Sequence, residues 1–171
     1  MHPDDSTITG VNVISYEVLT TNDKIQIDLQ APLQILSVSQ DGKELEWESI
    51  GDAHMIQLQK EQVIGQHERI EVSYAGRPHI AIRPPWDGGI TWRKDANGKP
   101  FIASSCQGIG ASVWWPCKDH MSDEVDSMDI RVTAPPGLMD VSNGKLIATQ
   151  EHKNGSRTFH WKVVNLSLIH I

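Results

Sequence analysis

Apolar and polar residues alternate along most of this 171-residue chain, and that pattern constrains its fold more than any other feature. A period of two places successive side chains on opposite faces of an extended strand, so each alternating segment is predicted to be a half-buried β-strand. No segment has a convincing helical repeat. The predicted strands span residues 8–19, 24–29, 33–39, 54–59, 69–76, 127–135 and 157–165.

Four short segments between these runs contain Asn-Gly or Asp-Gly: QDGKE at 40–44, ANGK at 96–99, SNGK at 142–145 and KNGS at 153–156. These dipeptides tolerate the positive φ angles that tight hairpins require, so each segment predicts a turn. Strands joined by such turns predict an all-β fold, either a sandwich or a twisted stack of antiparallel sheets. We expect less than about a tenth of the residues to be helical.

The composition predicts a single globular domain. With 39% hydrophobic and 22% charged residues, the chain can bury one sizeable core. The chain has a formal charge of -7, and its longest basic run is the pair Arg93-Lys94. It therefore offers no basic surface for the phosphates of a nucleic acid. No apolar segment approaches the roughly 18 residues of a membrane span. No leader of basic, apolar and small residues opens the chain, and its compartment stays open.

Three segments resemble metal sites but do not predict one. HERIE, residues 67–71, is close to the zinc-protease motif His-Glu-x-x-His, but it leads into a predicted strand, where positions i and i+4 lie about 13 Å apart. CKDH, residues 117–120, lacks a matching second pair of ligands. The acids of residues 122–129 lack the spacing of a calcium loop and predict a solvated turn. We therefore expect no metal site in this chain.

The two cysteines, Cys106 and Cys117, are too few for a disulfide framework or a four-thiolate zinc site. Their redox state stays open at this point.

An unusual loop covers residues 79–92, HIAIRPPWDGGITW, where prolines stiffen the chain and glycines allow sharp turns. Two interpretations remain open. The loop is either a rigid crossover whose Trp86 caps the core or a ligand-facing loop.

Four short segments carry a resemblance to a known family. In order they are residues 106–108 (CQG), 115–119 (WPCKD), 136–138 (PGL) and 141–144 (VSNG), with an acid-rich link between the second and third. In order and spacing they resemble the amino-terminal domain of the zinc aminopeptidases that include aminopeptidase N and leukotriene hydrolase.

The resemblance implies a saddle-shaped all-β domain over residues 1–165, beginning after the family's first strand, with residues 166–171 a non-native or unstructured tail. It implies a bacterial-type parent enzyme that uses zinc-activated water to remove amino-terminal residues from peptides. The zinc ligands would lie in a catalytic domain absent from this chain. We expect the chain alone to bind no zinc and to be inactive, and its partners to be that catalytic domain and a peptide with a free amino terminus.

The resemblance also implies which residues contact substrate. Gln107 would accept a hydrogen bond from the substrate's α-amino group, because an ammonium offers only donors. Gly108 would let the backbone approach the ligand. The alternative is that Gln107 only satisfies its own turn.

The segment that follows is expected to support this loop. Trp115 and Pro116 would anchor a strand, Cys117 would be a small buried hydrophobe, and Asp119 completes the motif.

A different function remains open, that of a free-standing β-sandwich module that binds carbohydrate or protein. Its stacking residues would be Trp86, Trp92, Trp114 and Trp115. Trp114 and Trp115 are expected to be neighbours on a strand, so they would face opposite sides and could not form one flat platform. A structural or adhesion sandwich without a small ligand is a third possibility.

Overall fold

The structure is a computed structural model, which describes residues 1–120 and 122–164. The described residues divide into two compact units: residues 3–120 form one, and residues 1–2 with 122–164 form the other. That residues 1–165 form a single domain stays a prediction. The expected tail at 166–171 lies outside the described residues.

The larger unit consists of antiparallel sheets. Its strands are β1 Ile8–Glu17, β2 Lys24–Asp28, β3 Gln34–Gln40, β4 Lys43–Glu44, β5 Trp47–Ile50, β6 Ala53–Gln57, β7 His67–Gly76, β8 Gly89–Lys94 and β9 Pro100–Ser105. A four-stranded sheet has the order β1-β7-β3-β4, a three-stranded sheet has the order β2-β6-β5, and β8 pairs with β9 as a separate hairpin.

The core of this unit lies between the four-stranded and the three-stranded sheet. On β7 the buried residues Ile70, Val72 and Tyr74 alternate with more exposed ones, as predicted. The pattern on β1 is less regular, because Asn12 lies on the half-buried face while Val11 and Val13 are exposed. Burial of the inward apolar side chains is the main favourable contribution to the stability of the sandwich. The buried cluster comprises Ile27, Val38, Leu45, Ile56, Leu58, Ile70 and Val72.

The smaller unit contains one sheet with the strand order β10-β12-β11, where β10 is Ser127–Ala134, β11 is Lys145–Glu151 and β12 is Arg157–Val164. Phe159 is buried in this unit, with the Arg157 guanidinium 5.2 Å from its ring centroid. The acid-rich segment 122–126, which precedes β10, is exposed, as predicted for a solvated turn.

The all-β fold class is confirmed. Within the described residues the one helical element is a 3-10 turn, Ala111–Val113. The turn of QDGKE joins β3 to β4 with positive φ at both Asp41 (51°) and Gly42 (75°), as a tight hairpin demands. ANGK and KNGS also connect paired strands, β8 to β9 and β11 to β12, but through longer loops. In these loops the glycines, Gly98 (78°) and Gly155 (81°), have a positive φ and the asparagines do not.

SNGK differs from the other three turns. It precedes β11, but β11 pairs with β12 and not with β10, so SNGK enters a strand rather than closing a hairpin.

Candidate functional site

Gln107 lies at the tip of a tight turn that follows strand β9. Cys106 O accepts hydrogen bonds from Ile109 N (3.2 Å) and Gly110 N (2.9 Å), and Gly108 has a φ of 82°. A positive φ at the third position of such a turn favours glycine. The side chain of Gln107 is exposed and makes no hydrogen bond with any residue of 1–120 or 122–164. Nothing within 4 Å would meet a Cβ at Gly108, so the space beside this turn is open.

Gln30, immediately beyond β2, holds the turn from one side. Its Nε2 donates to Ile109 O (2.5 Å) and to Ser112 Oγ (3.0 Å), while its backbone N donates to Ser112 O (2.9 Å). Gln30 was not among the residues predicted from the sequence. It lies 79 residues before Ile109 in the chain, and no local pattern marks it.

Asp119 closes the base of the same loop. Its Oδ2 accepts from the backbone N (3.1 Å) and from the Oγ (2.6 Å) of Ser112, and its own N donates to Asp28 Oδ2 (3.1 Å). The carboxylate also lies directly against Gly110, where any Cβ would overlap it. The absence of a side chain at Gly110 therefore makes room for Asp119.

The tryptophan segment is not the strand that we predicted. Trp114 and Trp115 follow the 3-10 turn, and their ring centroids lie 4.2 Å apart with the planes inclined by 63°. Gly110, with a φ of 83°, turns the chain before this segment, so strand alternation does not apply. The two rings meet edge to face and still do not present one flat platform.

Pro116 and Cys117 join this segment to the sandwich. Pro116 is buried, and its O accepts from Asn12 Nδ2 at 2.7 Å. Cys117 forms a two-way backbone bridge with Asp28, at 3.0 Å from Cys117 N and 2.8 Å to Cys117 O. The loop of residues 106–119 is thus fastened to both β1 and β2.

The thiols in this loop are poor nucleophiles. Burial raises the pKa of Cys117 to about 12, and the Asp119 and Asp28 carboxylates contribute to the shift. Burial also raises the pKa of Cys106, and the neighbouring Trp114 indole partly offsets this rise. The indole acts by proximity, because Trp114 Nε1 has no partner in hydrogen-bonding geometry. Both cysteines are free and stay protonated near neutral pH.

The loop of residues 79–92 has its own internal support. Asp87 Oδ2 accepts hydrogen bonds from Ile82 N (2.6 Å) and Arg83 N (2.7 Å). These backbone hydrogen bonds lower the pKa of the Asp87 carboxyl, and the one from Arg83 has the larger effect. Trp86 is 88% exposed, so the interpretation that it caps the core is wrong.

This loop also holds the Gln107 turn from a second side. Ser105 Oγ donates to Pro85 O at 2.9 Å. Gly88 is buried against Ile109, and a Cβ at Gly88 would overlap that side chain. The backbone around Gln107 is therefore fixed by residues on both sides, while the Gln107 side chain projects outward.

The residues that the structure describes do not fit a zinc site. His67 and Glu71 lie on strand β7, where they are about 13 Å apart and cannot bind one ion. No group of three or more His, Cys, Asp or Glu side chains within residues 1–120 and 122–164 converges on a common point. In that same part of the chain, no helix has the length and apolar character to cross a membrane.

Comparison with known proteins relates this architecture to solved enzymes. The structure is similar to the M1 zinc metallopeptidase from Deinococcus radiodurans, with a TM-score of 0.77, 20% identity, and coverage of 94% of this chain and 35% of that one. A mutant of that enzyme bound to a Tyr-Ser-Ala substrate gives a TM-score of 0.75 and 22% identity over 94% and 35% of the two chains.

Native yeast LTA4 hydrolase gives a TM-score of 0.68 and 15% identity, covering 94% of this chain and 25% of that one. No protein-family model matches the chain, and no curated protein matches it in sequence. The chain spans about a third of the length of the metallopeptidases that it resembles. The chain therefore has the fold of the amino-terminal domain of the M1 zinc metallopeptidases.

Proposed function

We propose that this chain is the substrate-facing amino-terminal domain of a zinc-dependent aminopeptidase, and that Gln107 binds the free α-amino group of the peptide substrate. The proposal depends on the combination of a fixed backbone and a free side chain at Gln107. Its backbone is fixed on both sides, whereas its side chain is exposed and has no hydrogen bond within the described residues. A polar side chain held in this way is prepared to bind a ligand.

The chemistry of Gln107 suits an ammonium. The substrate group offers three N–H donors and no acceptor, and the Gln107 Oε1 is an acceptor that can take one of them. Because Gln30 and Asp119 already hold the loop, little ordering of the backbone is needed when the ligand binds.

The similar solved structures support the enzyme class. Those from Deinococcus radiodurans are zinc metallopeptidases, and one of them holds a Tyr-Ser-Ala peptide. In such an enzyme, zinc supplies the activated water that attacks the peptide bond, and its ligands belong to a catalytic domain outside this chain. The part played by the present residues is to fix the position of the substrate's amino terminus, and thereby which bond meets the zinc.

Kinetics of the full-length polypeptide that contains this chain test the proposal. Gln107→Ala should lower kcat/KM for an aminoacyl anilide by about ten- to a hundredfold, the loss of one hydrogen bond to a charged group. Gln34→Ala removes another exposed glutamine, on strand β3, and should change nothing. Equal activity of the wild type and the Gln107 variant would contradict the proposal.

The exposed ring of Trp86 supports an alternative, a free-standing module that binds carbohydrate by stacking. Trp86→Ala would then abolish retention on an oligosaccharide column, and Gln107→Ala would not. A wild-type chain that no oligosaccharide retains would rule this alternative out.

A further inference from the structure

The β8–β9 hairpin presents a groove of about 280 Å³ on one face. Thr91 pairs with Ala103 and Arg93 with Phe101, and because residues two apart share a face, these four side chains lie on the same side of the hairpin. Pro84 and Pro85 of the neighbouring loop line the groove as well. Its volume is just below the roughly 300–1,000 Å³ of small-molecule pockets, enough for one or two residues of a peptide.

The outer end of the groove carries an unpaired positive charge. Arg93 is exposed and forms no ion pair within the described part of the chain, and Phe101 beside it is 54% exposed. The nearest acid in sequence, Asp95, already accepts hydrogen bonds from the backbone N of Asn97 and of Lys99 at 2.8 Å each. In a chain with a net charge of -7, a free guanidinium beside an exposed ring favours an anionic ligand with apolar neighbours.

The groove is continuous with the Gln107 turn. Ser105, which lines the groove, is the last residue of β9, two residues before Gln107, and it bonds to Pro85. Phe101 lies four residues further back along the strand. At about 3.3 Å per residue, the Arg93–Phe101 end is roughly 15–20 Å from Gln107, which an extended peptide spans with five or six residues.

We propose that this groove binds the downstream part of the peptide substrate and that Arg93 recognises a carboxylate at about its fifth or sixth residue. This inference rests on the proposed function, because it uses Gln107 as the site of the amino terminus. The carboxylate is either the terminal α-carboxylate of a short peptide or the side chain of an Asp or Glu. A tripeptide is too short to reach Arg93.

Titration of the isotope-labelled chain with peptides, followed by NMR, tests the proposal. The probes are Tyr-Ser-Ala-Ala-Ala-Leu with a free carboxyl terminus, its carboxyl amide, and the amide of Tyr-Ser-Ala-Ala-Glu-Leu. Amidation should raise Kd by about three- to fivefold, the upper end of the range for an exposed ion pair. The glutamate should restore affinity if side-chain carboxylates are also bound. A glutamate without effect would restrict the site to the terminal carboxylate.

Two variants separate Arg93 from general electrostatics. Arg93→Gln should bind the free acid and the amide equally, whereas Lys94→Gln, which removes the same charge from the opposite face of β8, should retain the full difference. Discrimination that survives in Arg93→Gln, or a free acid that binds no better than its amide, would overturn the proposal.

The same titration distinguishes a failure of this inference from a failure of the Gln107 role. Acetylation of the peptide amino terminus reports on Gln107 alone, and amidation of the carboxyl terminus reports on Arg93 alone. Sensitivity to acetylation without sensitivity to amidation would overturn the Arg93 inference and leave the proposed function standing.

Discussion

The carboxylate of Asp119 occupies the space that a side chain at Gly110 would need. Gly110 has a φ of 83°, and any Cβ there would overlap the Asp119 carboxyl group. Asp119 in turn accepts two hydrogen bonds from Ser112, so the contact ties both ends of the loop around Gln107 together. Two residues nine positions apart thus fix the geometry of the candidate site.

This contact predicts unequal effects of two similar substitutions. Gly108→Ala places a side chain in open space and should lower the free energy of unfolding by about 1 kcal/mol, the strain of a positive φ. Gly110→Ala adds a steric overlap and should cost about 1–3 kcal/mol more. Urea unfolding measures both, and equal losses would show that the Asp119 contact does not constrain position 110.

A second prediction concerns Gln30, which touches the loop but not the ligand. Gln30→Ala removes hydrogen bonds to Ile109 O and to the buried Ser112, and should lower the free energy of unfolding by about 1–3 kcal/mol. It should also weaken peptide binding, because the Gln107 turn is less well held. Gln26→Ala, which loses only an exposed bond to Asp28, is the control and should change neither quantity appreciably.

A third prediction follows from the raised pKa values of two buried acids. The pKa of Cys117 rises from 9.0 to about 12 and that of Tyr74 from 10.0 to about 12, in both cases mainly because of burial. Above pH 9 the unfolded chain loses these protons while the folded chain keeps them, so the unfolded state is increasingly favoured. The free energy of unfolding should therefore be unaffected by these groups below pH 9 and should fall between pH 9 and 12.

Urea unfolding at pH 8, 9 and 10 with a reducing agent checks this dependence. Each group contributes up to about 1.4 kcal/mol for every pH unit in which only the unfolded form ionises. Cys117→Ala should reduce the slope above pH 9, even though the lost packing lowers stability at every pH. An unchanged slope in the variant would contradict the role given to Cys117.

The alternation of residues predicted much of the sandwich because sheet burial imposes that pattern directly. Strands β1, β3 and β7 lie where it indicated, within a few residues. The hairpin of β8 and β9 was missed although its ANGK turn was recognised, because β8 begins at Gly89 inside a loop that prolines and glycines dominate. Strand β11 was also missed, and its seven residues are all exposed, so no buried face marks it.

The candidate site was only partly visible in the sequence. Gln107 could be named because the segments around it resemble the zinc aminopeptidase family, and Gly108 is consistent with a turn there. The supports could not be found in this way, because Gln30, Asp28 and Asn12 reach the loop from 79 to 104 residues away. The tryptophan pair was misassigned to a strand, although the backbone N of both residues donates to Ala111 O at a 3-10 turn. The strand propensity of tryptophan does not indicate such a turn.

The central claim is that Gln107 binds the substrate's α-ammonium, and a cycle of two changes tests it most directly. In the full-length polypeptide, kcat/KM is measured for wild type and Gln107→Ala, each with Tyr-Ser-Ala and with its analogue lacking the amino group. Loss of the amino group should lower kcat/KM sharply for the wild type. For Gln107→Ala the corresponding loss should be about ten- to a hundredfold smaller, because the hydrogen bond to the ammonium is already absent. Gln107→Glu should behave like the wild type. If both proteins lose the same factor on removal of the amino group, Gln107 does not contact the ammonium and the account is wrong.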